Sequence, residues 1–227
     1  MSENFKIFLF PLIRHLSRLI TPVLLRLPVS PNQITAASLI TGLASAWFVM
    51  KGEFFFDIFA GLLFIITYVL DNCDGEVARI KKQCSSFGMR FDSFVDWVVH
   101  SALFTAMGYG LADRFVDDIW YWLGITAAIG GTINYIIGFY IDVREIAEAE
   151  TLEAWEERKT GATSRKPEGL GDWSLFVFRE LIRADFCFIL LGFAAFDLLW
   201  ILVPAGAIGA QFYWISQLFR GASDFHV

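Results

Sequence analysis

The chain has 227 residues, of which 56% are hydrophobic and 17% aromatic, and its formal net charge is −6. Its mean hydropathy of +0.54 excludes an ordinary soluble globular domain of this length. The acidic balance also argues against nucleic acid as a partner. We therefore expect an all-α integral membrane protein with several transmembrane helices.

The N-terminal part predicts a helix that lies along a membrane surface. Residues 5–26 mix apolar side chains with Lys and Arg at helical intervals, which is typical of an interfacial amphipathic helix. Prolines, among them Pro22, are expected to break this helix into pieces. Ser30 suits the N-cap of the next helix and Pro31 its first position. We assign residues 1–33 to this amphipathic juxtamembrane segment.

Apolar segments of nearly the length of a membrane span follow along the rest of the chain, where a helical span needs roughly 20 residues. There are six of them: 34–50, 54–76, 87–110, 117–142, 183–201 and 203–219. The last two nearly fuse, and only the sequence VPAG at 203–206 indicates a turn between them. Residues 34–227 are therefore predicted to form a six-helix transmembrane domain.

One long polar insertion, at about 143–182, interrupts the apolar pattern between the fourth and fifth spans. Its first part is rich in Glu and Ala and predicts an extension of the fourth helix, and its later part predicts a flexible break.

The distribution of basic residues indicates how the chain is oriented in the membrane. If the N-terminus is cytoplasmic, sixteen of the 18 Lys and Arg residues lie inside, and only Lys51 and Arg114 lie outside. This bias predicts six spans with both termini in the cytoplasm.

Two acidic pairs stand at the cytoplasmic ends of the second and third spans. At about 100° per residue, small and acidic side chains of the second span share one helical face: Asp71, Asp74, Gly75 and Ala78. On the third span, Gly88, Asp92 and Asp96 follow an i, i+4, i+8 pattern and also share a face. A tight helical hairpin would bring the four carboxylates together.

Four carboxylates this close would repel one another unless protons or cations compensate. Oxygen ligands without a His or Cys cluster favour Mg²⁺, Mn²⁺ or Ca²⁺ over Zn²⁺. Two metal ions would match four carboxylates and a phosphate-containing substrate. On this interpretation the small residues Gly75, Ala78 and Gly88 allow a ligand close to the backbone, and Arg79 binds its phosphate.

These residues carry a resemblance. The pattern Asp71-x-x-Asp74-Gly75-x-x-Ala78-Arg79, followed after eight residues by Gly88-x-x-x-Asp92-x-x-x-Asp96, resembles the full signature of the CDP-alcohol phosphotransferases, also called CDP-alcohol phosphatidyltransferases. The resemblance implies a transmembrane catalytic domain. It also implies a reaction in which a second alcohol attacks a CDP-alcohol, giving a phosphodiester and CMP, most often in phospholipid biosynthesis.

The resemblance also implies the roles of the site residues. Asp71, Asp74 and Asp92 would be ligands of Mg²⁺ or Mn²⁺, with two ions, and Asp96 would be both a ligand and the general base. The CDP-binding set would be Asp74, Gly75, Ala78, Arg79 and Gly88, with Asn32 and Thr35 as weaker candidates from a Pro-Asn turn before the first span. The expected partners are a CDP-alcohol donor, an alcohol acceptor, membrane lipids and a second copy of the chain in a homodimer.

Several alternatives stay open. The donor could instead be a CDP-linked polar alcohol of the inositol type, with a soluble or lipid acceptor. Cytoplasmic basic residues are candidates for recognising an anionic acceptor: Lys81, Lys82, Arg90, Arg144, Arg179 and Arg183. His100 lies one turn beyond Asp96 and either hydrogen-bonds to it or packs between helices.

Two alternatives lie outside the family: an aspartate-rich membrane prenyltransferase and a divalent-cation transporter, which also use clustered carboxylates. Such a prenyltransferase usually has another acidic motif far along the chain. A cation transporter favours carboxylates near the bilayer midplane.

Overall fold

The computed structural model describes residues 12–148 and 185–220. Within these ranges the chain is entirely helical, which confirms the all-α class for the described part. The seven described helices are α1 (Ile13–Arg26), α2 (Pro31–Val49), α3 (Phe54–Ile80), α4 (Ser86–Phe115), α5 (Ile119–Glu148), α6 (Phe186–Ala195) and α7 (Leu199–Arg220). The predicted extension of the fourth apolar segment is present as far as Glu148, and most of the insertion at 143–182 lies outside the described residues.

The apolar surface of the helices bears on the predicted membrane spans. By length and composition, two stretches among the described helices could cross a bilayer, Phe54–Ile80 and Ile119–Arg144, and α6 and Leu199–Ile215 are shorter apolar helices. The six-span arrangement therefore stays a prediction. Large apolar side chains also point outwards on several helices, for example Ile40, Phe55 and Phe212, which are 69%, 81% and 73% exposed.

Local capping sets where α2 and α4 begin. The Ser30 hydroxyl accepts a hydrogen bond from the Gln33 backbone N–H, and the Gln33 side chain accepts one from the Ser30 backbone, forming a capping box with Pro31 in the first turn. The prediction for this helix start is confirmed. Ser85 caps α4 in the same way, accepting from the Gly88 N–H at 3.0 Å.

The connection between α3 and α4 is a short turn with a defined geometry. Gln83 N–H donates to the Ala78 carbonyl at 2.8 Å and Lys82 N–H to the Arg79 carbonyl at 3.3 Å, and Lys82 has a φ of 54°. These two bonds form a Schellman motif, which ends the helix and reverses the chain. The turn therefore places the start of α4 directly after the end of α3.

The tight hairpin predicted for α3 and α4 is wrong, because within the described chain their backbones make few close contacts with each other. Both helices pack instead against α2. Ser45 donates to the Ala60 carbonyl of α3 at 2.8 Å, and a methyl group on Gly42 would lie 2.6 Å from the Val99 side chain of α4. Small residues on α2 thus allow it to hold α3 and α4 side by side with a gap between them.

The turn predicted at VPAG is also misplaced. Residues 203–206 lie inside α7, which contains Pro204, and the chain turns earlier, between α6 and α7. Leu198 N–H donates to the Phe193 carbonyl at 2.7 Å and Asp197 N–H to the Ala194 carbonyl at 3.1 Å, which is again a Schellman motif. Arg114 holds Asp197 in this turn through two hydrogen bonds of 2.7 and 2.6 Å.

Helix α1 is continuous through Pro22, so the predicted break there is wrong. Two of its polar side chains are buried, where Ser17 and Thr21 donate to the two carboxylate oxygens of Glu76 on α3 at 2.8 and 2.5 Å. The buried Asp185 accepts from the N–H groups of Leu12 and Ile13 at 2.8 and 2.9 Å, which satisfies donors at the start of the helix. These contacts fix α1 against α3 and α6.

Candidate active site

A cavity of about 860 Å³ lies beside the gap between α3 and α4, and each of the seven described helices contributes to its lining. Three of the four motif carboxylates line it: Asp71, Asp92 and Asp96. Trp97 of α4 lines the cavity and contacts α5. Its indole N–H donates to the Thr132 hydroxyl at 3.0 Å, and its ring stacks on Tyr135 with centroids 4.9 Å apart. The cavity therefore has an acidic end and an aromatic wall.

Asp71 of α3 and Asp92 of α4 both line the cavity, on the two sides of the gap, and are close enough for their charges to interact. Two carboxylates this close repel each other unless a proton or a cation compensates. One oxygen of Asp92, Oδ1, is buried and has no hydrogen-bond partner among the protein groups. A buried oxygen without a donor suits an oxygen-binding cation such as Mg²⁺ or Mn²⁺.

Asp74 stands behind this cluster and does not line the cavity. It is buried, and its Oδ2 accepts a short hydrogen bond from the Thr35 hydroxyl of α2. In the described part of the chain, no three acidic, His or Cys side chains converge as a formed metal centre. The four carboxylates are thus brought into one region but are not gathered as a single ligand set.

The remaining predicted nucleotide-binding residues lie near the α3–α4 turn, outside the cavity lining. A methyl group on Gly75 would lie 3.3 Å from Nη1 of Arg79, so the guanidinium group covers that glycine. A methyl group on Gly88 would lie 3.1 Å from Oδ1 of Asn32. Ala78 lies in the last turn of α3, two residues before its end, and its carbonyl accepts the turn hydrogen bond from Gln83. Asn32 and Thr35 are therefore placed beside the two halves of the motif by the first turns of α2.

Asp96 lines the cavity and is accessible, since its side chain is 61% exposed. His100 Nδ1 lies 2.9 Å from Oδ1 of Asp96, and His100 Nε2 lies 2.8 Å from the Tyr68 hydroxyl. The structure shows a hydrogen bond from His100 Nδ1 to the backbone oxygen of Asp96 at 2.8 Å, beside the contact with its carboxylate. The ring is also packed between helices, since it contacts Phe64 and Phe186.

Several residues that line the cavity were not predicted from the sequence, among them Tyr68, Arg14 and Asn134. Tyr68 precedes Asp71 by three positions, so its place on the same helical face could have been found from the spacing. Asn134 is an amide in an apolar segment, which is itself a signal of function, and its Oδ1 is buried without a hydrogen-bond partner. Arg14 was assigned to the membrane surface, and nothing in its spacing indicates that it faces the site.

A family model described as CDP-alcohol phosphatidyltransferase matches residues 28–155, which is more than half of the chain. The chain belongs to this family. The matched range contains all eight motif residues from Asp71 to Asp96, together with Asn32 and Thr35. Members of the family are membrane-associated transferases that use a CDP-alcohol donor and an alcohol acceptor.

Curated relatives carry names from this family. The chain is 29% identical over 123 residues to the bifunctional IPC transferase and DIPP synthase of Thermococcus kodakarensis, covering 53% of this chain and 27% of that protein. It is 32% identical over 79 residues to the CDP-diacylglycerol–serine O-phosphatidyltransferase of Helicobacter pylori, covering 35% of this chain and 32% of that protein. The chain thus spans about a third or less of the length of these relatives.

Proposed function

We propose that this protein transfers a substituted phosphate group from a CDP-alcohol to the hydroxyl of a second alcohol, releasing CMP and forming a phosphodiester in phospholipid biosynthesis. The observation that carries the proposal is the placement of Asp71, Asp92 and Asp96 around one cavity in a member of this family. The family supports the class of reaction, and the cavity supports the part of the chain in which the reaction takes place.

The oxygen-only ligand set supports Mg²⁺ or Mn²⁺ as the cofactor, with two ions held by Asp71, Asp74, Asp92 and Asp96. When bound, the ions would neutralise charge on the diphosphate and on the departing CMP. The placement of Asp71 and Asp92 at one cavity and the buried Oδ1 of Asp92 without a hydrogen-bond partner are the features that such cations would satisfy. Thr35 orients the Asp74 carboxylate through its hydroxyl.

Asp96 is the proposed general base. An acceptor hydroxyl is a weak nucleophile at neutral pH, and a carboxylate in hydrogen-bonding reach takes its proton during attack. The acceptor oxygen forms a bond to the phosphorus that bears the donor alcohol, and the bond from that phosphorus to the oxygen of CMP breaks. The accessibility of Asp96 within the cavity supports this role, because the base must meet the substrate directly.

We assign CDP binding to Asp74, Gly75, Ala78, Arg79 and Gly88, with Asn32 and Thr35 beside them. The positions of Arg79 over Gly75 and of Asn32 beside Gly88 support this assignment. On the acceptor side, Arg14, Arg90 and Asn134 line the cavity and offer two positive charges and an amide. These groups suit an acceptor that carries both hydroxyl groups and negative charge.

The proposed setting is a multi-pass membrane protein with both termini and the site at the cytoplasmic side, as the basic residues predict. A site at the interface admits one substrate from water and another from the lipid leaflet. The family resemblance further implies a homodimer, which chemical cross-linking in membranes would test.

A second candidate is transfer from a CDP-linked polar alcohol of the inositol type. It is favoured by matches to proteins named bifunctional IPC transferase and DIPP synthase from Thermococcus kodakarensis and Archaeoglobus fulgidus, the latter 41% identical over 68 residues. Both candidates use the same carboxylates and both release CMP, so a panel of CDP-alcohols distinguishes them.

The deciding experiment measures CMP release by purified protein from CDP-diacylglycerol and CDP-linked polyols, with Mg²⁺ or Mn²⁺ and a panel of acceptors. We expect Asp96→Asn to lower the rate by at least about 1000-fold, within the range that a general base contributes. Asp113→Asn is the matched control, since Asp113 is an exposed carboxylate on the same helix. EDTA should abolish CMP release.

Binding provides a second readout that does not depend on turnover. Mn²⁺ should raise the thermal midpoint of the wild-type protein, because a ligand that binds the folded state stabilises it. Asp92→Asn should weaken this effect. Full activity of Asp96→Asn, or CMP release that continues in EDTA, would show that the proposed mechanism is wrong.

A further inference from the structure

Tyr68, His100 and Asp96 form a chain of hydrogen bonds that links α3 to α4. The Tyr68 hydroxyl and His100 Nε2 are 2.8 Å apart, and His100 Nδ1 is 2.9 Å from Oδ1 of Asp96 and 2.8 Å from its backbone oxygen. The chain crosses the gap between two helices whose backbones make few close contacts. It therefore joins the proposed base to the opposite wall of the site.

The partners of the ring determine which groups donate. Both oxygens of Asp96 near Nδ1 are acceptors, so Nδ1 must carry the proton in either contact. In a neutral imidazole the other nitrogen is then an acceptor, and the Tyr68 hydroxyl donates to it. With a neutral ring, the order of donation runs from Tyr68 to His100 and from His100 to Asp96.

Packing restricts the imidazole ring to this orientation. Phe64 meets it edge to face with centroids 5.7 Å apart, and Phe186 approaches within 6.2 Å from α6. Tyr68 is itself buried, with 8% of its surface exposed, and packs on Phe64. In contrast, the Asp96 side chain is largely accessible. Without the contact to His100, its carboxylate could sample other rotamers.

We propose that Tyr68 and His100 are positioning residues that orient the Asp96 carboxylate towards the acceptor hydroxyl. The inference depends on the proposed function, because it assigns a task to the base of that reaction. His100 Nδ1 hydrogen-bonds to the backbone oxygen of Asp96 and lies 2.9 Å from its carboxylate Oδ1, and this second contact holds the rotamer of the carboxylate for proton transfer. Neither residue contacts the phosphate groups in this role.

The test compares His100→Leu, His100→Asn and Tyr68→Phe in the CMP-release assay, with kcat and KM measured separately for donor and acceptor. His100→Leu should lower kcat about 10- to 100-fold, as expected for one hydrogen bond to a charged group, with the donor KM changed less than about threefold. Tyr68→Phe should lower kcat about 3- to 10-fold, because it removes a neutral donor one step further away.

His100→Asn separates positioning from packing. The asparagine amide nitrogen occupies nearly the place of Nδ1 and can donate to Asp96, although the side chain is smaller than the ring. We expect it to restore kcat to within about threefold of wild type, as fits one retained hydrogen bond. Tyr109→Phe is the control for the loss of a tyrosine hydroxyl. Tyr109 lies on α4, as His100 does, and is 53% exposed, so this variant should behave as wild type.

The outcomes distinguish this inference from the function on which it depends. An active wild type and an inactive Asp96→Asn, combined with normal kcat in His100→Leu and Tyr68→Phe, would overturn only the positioning roles. A kcat for His100→Asn as low as that for His100→Leu would also overturn them. An active Asp96→Asn would contradict the proposed function itself. If His100→Leu fails to fold, Tyr68→Phe and His100→Asn still decide the question.

Discussion

At the scale of single residues, the hydroxyl of Thr35 illustrates how α2 takes part in the site. Thr35 is buried at the first turn of α2 and donates to Oδ2 of Asp74, a carboxylate that is itself only 5% exposed. A buried carboxylate without a donor is costly, and a hydrogen bond to a charged group stabilises it by about 1.5–3 kcal/mol. One hydroxyl on a neighbouring helix therefore determines how Asp74 is oriented in the motif.

Thr35→Val should lower the apparent affinity for Mn²⁺ by about tenfold, because the Asp74 carboxylate loses its donor while the shape of the side chain is kept. Titration calorimetry of the purified protein with Mn²⁺ measures this directly. Thr35→Ser keeps the hydroxyl and should stay within about twofold of wild type. Equal Mn²⁺ affinity in the Val and Ser variants would mean that Thr35 does not orient Asp74 for a cation.

At the scale of elements, glycines determine how closely α4 can approach the C-terminal end of α2. Gly110 of α4 faces the backbone of Val49 and Gly52, and a methyl group on it would lie 2.6 Å from the Val49 carbonyl oxygen. Gly52 has a φ of 63°, a left-handed conformation that side chains rarely adopt. These atoms belong to the backbone and cannot move aside as a side chain could, so the contact tolerates only glycine.

Gly110→Ala should therefore destabilise the fold by about 1–3 kcal/mol through overpacking. The thermal midpoint in detergent measures the effect. Gly192→Ala is the matched control, because Gly192 is a helical glycine on α6 with nothing within 4 Å of an added methyl group. It should be neutral or stabilising by up to about 1 kcal/mol through helix propensity. A Gly110→Ala protein as stable as the control variant would show that α4 can shift without cost.

At the scale of the whole molecule, α4 connects the motif to the opposite end of the fold. The helix has 30 residues, from Ser86 after the α3–α4 turn to Phe115, and Val116 follows it. At about 1.5 Å per residue it is longer than the hydrocarbon core of a bilayer. The proposed topology puts its two ends on opposite sides of the membrane, and two exposed positions report them: Cys84 before α4 and Val116 after it.

A membrane-impermeant maleimide should label Cys84 in inside-out vesicles and not in right-side-out vesicles, because Cys84 lies at the proposed cytoplasmic face. Cys73 and Cys187 are buried and should react slowly from either side. Introducing Val116→Cys into a Cys84→Ser protein should reverse the pattern, since Val116 is 91% exposed at the other end of the helix. Labelling of both positions from one side would contradict a membrane-spanning α4.

Much of the local structure could be predicted, because it depends on neighbours in the chain. Ser30 and Pro31 indicated the start of α2. The motif spacing predicted that Asp71, Asp74, Asp92 and Asp96 would meet, and three of these four, all except Asp74, line the cavity. The turn at Asp197 could not be read in the same way, because its left-handed conformation is carried by an Asp and the nearby proline lies inside α7. Local signals fail where a tertiary contact, here the ion pair with Arg114, stabilises the turn.

By itself, the sequence determined the helical class, the family and the set of acidic residues, because helix periodicity and the motif spacing are properties of short stretches of chain. Only the tertiary structure decided that α2 holds α3 and α4 apart, that Asp74 turns towards Thr35, and that His100 bridges Tyr68 and Asp96. The Thr35–Asp74 and Tyr68–His100 contacts join residues 39 and 32 positions apart, and their geometry follows from the side chains that pack between the helices. Spacing along one helix carries no information about the distance to the next.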